Sequence, residues 1–186
     1  MTLQTLFTKR LTLEPQTVAH ADRLFERFQD EELYPYITRV PPTSLQKFRE
    51  GLGFLERRRN EPHEELWLNW VMVSKDSRDL VGQVEVSLNS KTLEFFLAYT
   101  TFKAHWRQGL AKEACAAVSA HMFADWKATK AIIEMDVRNA ASMRLAESLG
   151  ARRVAYAPRA QQLKGEWSDE YRYELNPQTM VMESLL

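Results

Sequence analysis

Cysteine is all but missing from this chain. Cys115 is the single thiol among 186 residues, which excludes an internal disulfide framework and any multi-cysteine metal site. A reducing compartment, the cytoplasm, is the expected location. An excess of charge is missing too: 25 Lys plus Arg balance 25 Asp plus Glu, so no global field points to nucleic acid or an anionic membrane as partner. No run is long and apolar enough to span a bilayer. The opening residues Met1 to Thr8 lack the basic region and apolar stretch of a signal peptide. Internal repeats and low-complexity tracts are absent, as is the Gly-Lys-Ser/Thr ending of a nucleotide-binding P-loop. His20, His63, His105 and His121 show no metal-ligand spacing. Surface or cap roles are expected for most of them, with His105 set apart by its position next to a glycine-bearing loop.

What is present fills one domain of this length, residues 1–186 with a core from about 8 to 175. Alternation from Thr8 to Leu13 predicts a first strand ended by Pro15, and helical spacing follows from Thr17, the expected N-cap, to Gln29. The adjacent Pro41 and Pro42 and the aromatics of Tyr34 to Val40 predict a packed loop. A helix over Ser44 to Arg59 should open on a capping box of Thr43 and Gln46. Arg57 to Glu65 reads as a charged, solvated turn around Pro62. Leu66–Val73, Leu80–Leu88 and Leu93–Thr100 are strand-like with short connections, an antiparallel meander. Then come a helix over Gly109 to Trp126, a strand over Ala131 to Val137 and a helix over Ala140 to Ser148, with Gly150 as its left-handed terminator. Two last strands, Arg153–Ala157 and Ser168–Leu175, flank a polar excursion. The fold class is therefore mixed α+β, a central and mostly antiparallel sheet of about six to seven strands with helices on both faces. The helix crossing from Leu93–Thr100 to Ala131–Val137 makes those two strands parallel, and ligands bind at the carboxyl ends of such strands.

Two segments carry the chemistry. Trp106-Arg107-Gln108-Gly109-Leu110-Ala111 runs from a glycine, where backbone can approach a ligand, into a helix whose free amides attract anions such as pyrophosphate. One strand later Asn139-Ala140-Ala141-Ser142 opens a second helix.

In element order and in these motifs, from about Thr8 to Leu175, the chain resembles the GNAT acetyltransferase superfamily, in particular its branch of ribosomal-protein N-terminal acetyltransferases. The superfamily signature is Gln or Arg, two residues, Gly, one residue, then Gly or Ala. Here Trp106 takes the first place, as in that branch, where Glu113-Ala114 also has its counterpart. The resemblance implies a splayed parallel strand pair and acetyl-CoA as cosubstrate. It implies that the amides of Arg107, Gln108, Gly109, Leu110 and Ala111 hold the pyrophosphate. Backbone from Leu97 through Tyr99 and Thr100 to Phe102 would pair with the pantetheine arm. Asn139 would contact the cofactor, and Ser142 would protonate the leaving thiolate. Many relatives use a tyrosine for that proton, but Ala146 stands at the aligned position. Gln161 stands where some relatives carry a glutamate base.

The implied reaction is attack of a neutral amine on a thioester. Deprotonating a lysine-type amine at pH 7 costs about 4.6 kcal/mol, an α-amine only about 1–1.4. Water relayed to Glu85, Glu94 or Asp136 supplies candidates for the base, and Glu85 is carried forward as the catalytic one with Ser142 and Asn139. Each residue also has a plainer role open to it. Asn139 is a good N-cap worth about 1 kcal/mol with Ser142 compatible beside it, Cys115 among alanines is a small buried hydrophobe, and Trp67 and Trp70 are sheet packing. Specificity is expected on Tyr34 to Val40, the helix from Ser44 and the hairpin Gln161 to Trp167. Protein N-termini, polyamines, amino acids and amine-bearing antibiotics all remain open as acceptors, as does a homodimer. A catalytically silent acyl-CoA sensor is the alternative class.

Overall fold

The computed structural model describes residues 3–58 and 64–181. In chain order the elements are β1 (Leu6–Phe7), β2 (Leu11–Pro15), α1 (Ala21–Arg27), α2 (Leu45–Glu56), β3 (Glu65–Ser74), β4 (Leu80–Asn89), β5 (Glu94–Thr101), α3 (Leu110–Ala124), β6 (Lys130–Asp136), α4 (Ala140–Ser148), β7 (Arg152–Leu163) and β8 (Glu166–Leu175). The strands form one sheet in the order β1-β2-β3-β4-β5-β6-β8-β7. Its eight members exceed the expected six to seven because the residues before the first predicted strand double back. Leu6 pairs with Leu13 and Phe7 with Thr12. Thr8 closes the turn between them: its hydroxyl accepts from the Leu11 amide at 2.9 Å, and its own amide donates to the Leu11 carbonyl at 3.0 Å. Pro15 is the last strand residue, opposite Trp70.

All neighbours are antiparallel except β5 and β6. These pair in parallel only at Glu94–Lys130, Phe95–Ala131 and Phe96–Ile132. Beyond Phe96 the strands part. β5 stays with β4 as far as Thr101 opposite Gly82, and β6 stays with β8 as far as Asp136 opposite Glu170. A wedge-shaped gap therefore opens between Leu97–Thr101 and the end of β6, with strand backbone on both sides and no ladder across it.

The alternation of the strands separates two cores. On one face Leu11, Leu13, Trp70, Phe95, Leu97, Ile133 and Tyr173 pack against α3 and against Ala146 and Leu149. Residues Glu113 to Ser119 of α3 are buried without a break, so the helix is sunk into the protein rather than amphipathic. Cys115 lies fully inside, and burial pushes its thiol up from its ordinary value, as a small hydrophobe requires. His121 departs from the surface role expected of it. It is buried, donates from Nδ1 to Asp125 at 2.7 Å, and meets Trp70 edge-on with centroids 5.9 Å apart. On the other face α1 and α2 cover Val71, Val73, Leu80 and Phe102, leaving Phe96 of β5 exposed.

Local structure departs from the sequence reading at several ends. Thr17 precedes a short 3-10 turn, Val18–His20, and the helix proper starts at Ala21. Ser44, not Thr43, caps α2 by accepting from the Lys47 amide at 3.3 Å, while Gln46 reaches forward to Glu50 at 3.2 Å. Arg57 stacks over Phe54 at 4.9 Å and Arg58 donates to the Gln16 carbonyl at 3.0 Å. Most of the predicted charged turn, Arg59 to His63, lies outside the described residues. Trp126 falls beyond the end of α3. β7 is more than twice its predicted length because an irregularity between Ala157 and Gln161 lets pairing resume. Gly150 does terminate α4, at φ 92°. No helix among the described residues is long and apolar enough to cross a membrane.

Candidate active site

One end of the β5–β6 gap is built by the loop from Phe102 to Gly109. The Phe102 amide donates to Val81 at 2.9 Å and its carbonyl accepts from His105 at 2.9 Å, while its ring packs edge-on against Phe28. Both backbone groups and the side chain are thus engaged, and Phe102 does not join Leu97 and Tyr99 on the free edge; nor does Thr100, whose backbone the same alternation turns to Gln83 of β4. Trp106 turns its indole back to donate to the Thr101 carbonyl at 2.6 Å, which pins the loop to the end of β5. Arg107 at φ 59° and Gly109 at φ 76° then bend the backbone into left-handed conformations on either side of Gln108. Gly109 is the N-cap of α3 and offers no side chain to its first amides. Those amides and the positive end of a 15-residue helix are left to an external anion. The residues at the turn, Arg107, Gln108 and Gly109, are exposed, whereas Leu110 is buried and offers only backbone.

The loop is held from below by a carboxylate that sequence reasoning assigned no task. Glu113 is buried. Its Oε1 accepts from the Thr8 hydroxyl at 2.6 Å and the Arg10 amide at 2.7 Å, and its Oε2 from Arg10 Nε at 2.7 Å. Burial pushes its carboxyl up, but these donors outweigh it and hold the group below the ordinary range. Arg10 Nη1 then donates to the Gln108 carbonyl at 2.8 Å, so the β1–β2 turn, α3 and the loop before it are fastened to one another.

At the far side of the gap, β6 hands over to α4 through Asp136. This buried carboxylate accepts from the Arg138 amide at 2.7 Å, from Arg138 Nη2 at 2.6 Å and from the Ser168 hydroxyl at 2.6 Å. Hydrogen bonding by Arg138 in the first place, and by Ser168, brings it down to about 2 against the cost of burial. Asp136 is therefore a structural anchor and not a free base. Glu94 is also removed from the candidates, because it pairs with Lys130 at the closed end of the strands.

The turn delivers Asn139, whose Oδ1 accepts from the Ser142 amide at 3.0 Å. The plainer capping role of Asn139 is thus filled. Ser142 Oγ meets the Tyr99 hydroxyl at 2.6 Å, across the space between β5 and α4. Burial pushes the Tyr99 phenol well above its ordinary value, so both hydroxyls are neutral proton carriers. Ala146, where a relative's tyrosine would stand, is buried in the core. The phenol comes instead from the strand.

A cavity of about 570 Å³ lies on the α1–α2 face, enclosed by the loop from Tyr34 to Thr43, by α2, and by Gln83, Glu85 and Thr100 of the sheet. Glu85 is gripped bidentately by Arg39, Nη1 to Oε2 at 3.1 Å and Nη2 to Oε1 at 2.9 Å. Thr100 lines this cavity and stands between Tyr99 and Thr101, whose backbone groups face the gap, so cavity and gap adjoin. A further carboxylate, Glu170, lies opposite Asp136. It shares a face with Glu134 and accepts a hydrogen bond from Gln161 Nε2. Burial first, then the charges of Glu134 and Asp136, raise its carboxyl above the ordinary value. Its signal in the sequence was the alternation of β8, which places it on the face of Arg172 and Glu174 and away from Tyr171 and Tyr173.

These features fit a CoA thioester: a strand edge without a partner, a left-handed glycine before an uncapped helix, and the Thr101 hydroxyl buried without a hydrogen-bond partner at the end of that edge. Comparison with known proteins agrees. The chain is 22% identical over 175 residues to the uncharacterized N-acetyltransferase p20 of Bacillus licheniformis, covering 93% of this chain and 96% of that protein. RimL, the ribosomal L7/L12 alpha-N-protein acetyltransferase solved in complex with coenzyme A, superposes with a TM-score of 0.84 at 14% identity, over 93% of this chain and 98% of that one. The ribosomal-protein-S5-alanine acetyltransferase from Vibrio fischeri gives 0.83 at 14% identity, over 96% and 99%. Residues 10–152 match the acetyltransferase (GNAT) domain model, and the chain belongs to that family, whose acetyl donor is acetyl-CoA.

Proposed function

We propose that this single-domain chain is a cytoplasmic N-acetyltransferase acting on a primary α-amine by direct attack in a ternary complex. The observation that carries the reading is that cavity and gap adjoin along one strand: Thr100 lines the acceptor cavity, and its neighbours Tyr99 and Thr101 turn their backbone to the gap. Bound acetyl-CoA supplies an activated acyl carbon. The amides from Arg107 to Ala111 hold its pyrophosphate, and backbone of Leu97 and Tyr99 lines its pantetheine arm. Asn139 has its Oδ1 committed to the cap and has its Nδ2 to offer to the cofactor. Glu85 attracts the incoming ammonium and, through water, accepts the proton that the amine must lose. Ser142, bonded to Tyr99, returns a proton to the sulfur. An α-amine suits this site because its deprotonation at pH 7 demands only about 1–1.4 kcal/mol. The structural neighbours that act on ribosomal-protein N-termini support the same choice.

The test is incubation with acetyl-CoA and a panel of amines, following free thiol and product mass. Stoichiometric thiol and acetylated α-amine are expected. Tight acetyl-CoA binding without turnover of any amine would replace this reading with that of a silent acyl-CoA sensor.

A further inference from the structure

Among the described residues the acceptor cavity has a single carboxylate, Glu85. Its walls are built from Phe28, Leu33, Ile37, Val40, Leu52 and Leu55, and its volume of about 570 Å³ falls within the range of small-ligand sites. Of its polar floor, Gln83 is already bonded to Gln16 at 3.1 Å. That leaves the Arg39–Glu85 pair, with the carboxylate mostly covered on the sheet and the guanidinium at the exposed rim. Lys47, the other charged residue at the cavity, is a cation. A polyamine would therefore bring a second ammonium into a cavity that has no second carboxylate among the described residues to receive it, at the cost of an unpaired charge against apolar walls.

A ligand that matches these walls has an apolar body, and one that matches the pair carries a positive and a negative group side by side. An α-amine with its neighbouring carboxylate or carbonyl oxygen has that arrangement. Resting on the transferase reading above, we propose that the acceptor is an α-amino compound with a large apolar side chain. The amine sits at Glu85, the adjacent oxygen at Arg39, and the side chain in the cavity under α2. Arg39 suits a carboxylate better than a point charge would, because its planar fork can turn from Glu85 to the ligand while keeping two donors engaged. The same chemistry can be presented by a free amino acid or by a peptide that begins with an apolar residue.

The experiment measures acetyl-CoA binding by calorimetry and turnover in one preparation. Its acceptors are L-leucine, L-phenylalanine, their amides, tripeptides starting with Leu or Phe, the Ser, Ala and Asp counterparts of each, and spermidine. The proposal expects the Leu and Phe compounds to exceed their Ser, Ala and Asp counterparts in kcat/KM by about ten-fold or more. Filling the cavity with Ile37→Trp should abolish that preference while acetyl-CoA binding is retained. Arg39→Gln should raise KM for the free amino acids more than for their amides if carboxylates are the natural source, and for peptides and amides alike if carbonyls are. Equal turnover of apolar and acidic acceptors, a preference for spermidine, or an unchanged preference in Ile37→Trp overturns this inference and leaves the transferase reading standing. Absence of acetyl-CoA binding removes both.

Discussion

The Tyr99 phenol and the Ser142 hydroxyl lie 2.6 Å apart, joining the free edge of β5 to the first turn of α4. A leaving thiolate placed in the gap between them would take a proton from Ser142 that Tyr99 can replace. Ser142→Ala should lower kcat by about 10²–10³-fold with little change in KM for acetyl-CoA. Tyr99→Phe should lower it less, because the serine remains. Steady-state kinetics on the two variants and the double variant checks this, and additive losses would mean that the hydroxyls do not act as one unit.

Glu113 gives a second prediction, in which binding and not chemistry suffers. Glu113→Ala leaves the Arg10 amide without its acceptor, limits the Thr8 hydroxyl to its longer bond to the Leu11 carbonyl at 3.2 Å, and releases Arg10 from the Gln108 carbonyl. The loss of stability should be about 1–3 kcal/mol, the usual penalty for unsatisfied buried donors, read from the urea midpoint. KM for acetyl-CoA should rise several-fold, whereas kcat at saturating acetyl-CoA should stay near that of the parent. A fall in kcat alone would place Glu113 in the chemistry and not under the loop.

What was legible in the sequence has a local cause. Gly109 before a helix, Asn139 three residues ahead of Ser142 and Gly150 after α4 are each explained by backbone within a turn of the residue itself. The crossover between β5 and β6 was readable because a helix between two strands forces them parallel. The residues that remained hidden are joined over long separations. Glu113 reaches Thr8 and Arg10, Arg39 reaches Glu85, and Gln161 reaches Glu170 across a hairpin whose irregularity no alternation reveals. The β1–β2 turn was read as continuous strand for the same reason: Thr8 and Arg10 turn where a carboxylate from α3 receives them. Likewise no local signal announces that the Tyr99 phenol on β5 meets Ser142 on α4.

Asp136 makes acid stability testable. Its carboxyl is brought from an ordinary 3.8 to about 2 in the folded protein. A depressed folded value means that the stabilisation is present above the ordinary value and is lost as pH falls from about 4 toward 2. The gain at neutral pH is about 2 kcal/mol by that linkage. Asp136→Asn should accordingly lower stability at pH 7 by about that amount or more, since Arg138 loses its charged partner. The gap between variant and parent should close on acidification. Denaturant titrations at a series of pH values measure it, and a gap that persists at pH 2 would assign the effect to packing instead of charge.

Glu170 should behave in the opposite sense. Burial and the neighbouring Glu134 and Asp136 raise its carboxyl, so the fold favours the protonated form. That contribution is fully present below the ordinary carboxylate range and is lost as pH rises through the raised value. At neutral pH the charged group is a burden, and Glu170→Gln, which keeps an acceptor for Gln161, should melt higher than the parent at pH 7–8. The advantage should vanish near pH 4. A carboxylate kept at a cost in stability on the face of Glu134 and Asp136 is a candidate for a part in the reaction. If Glu170 relays the proton that Glu85 accepts, the stabilised variant loses acceptor kcat/KM, and the acid limb of its pH profile shifts relative to that of Glu85→Gln. If Glu170→Gln is both more stable and fully active, Glu170 takes no part in moving the proton, and Glu85 is left as the carboxylate that serves the amine.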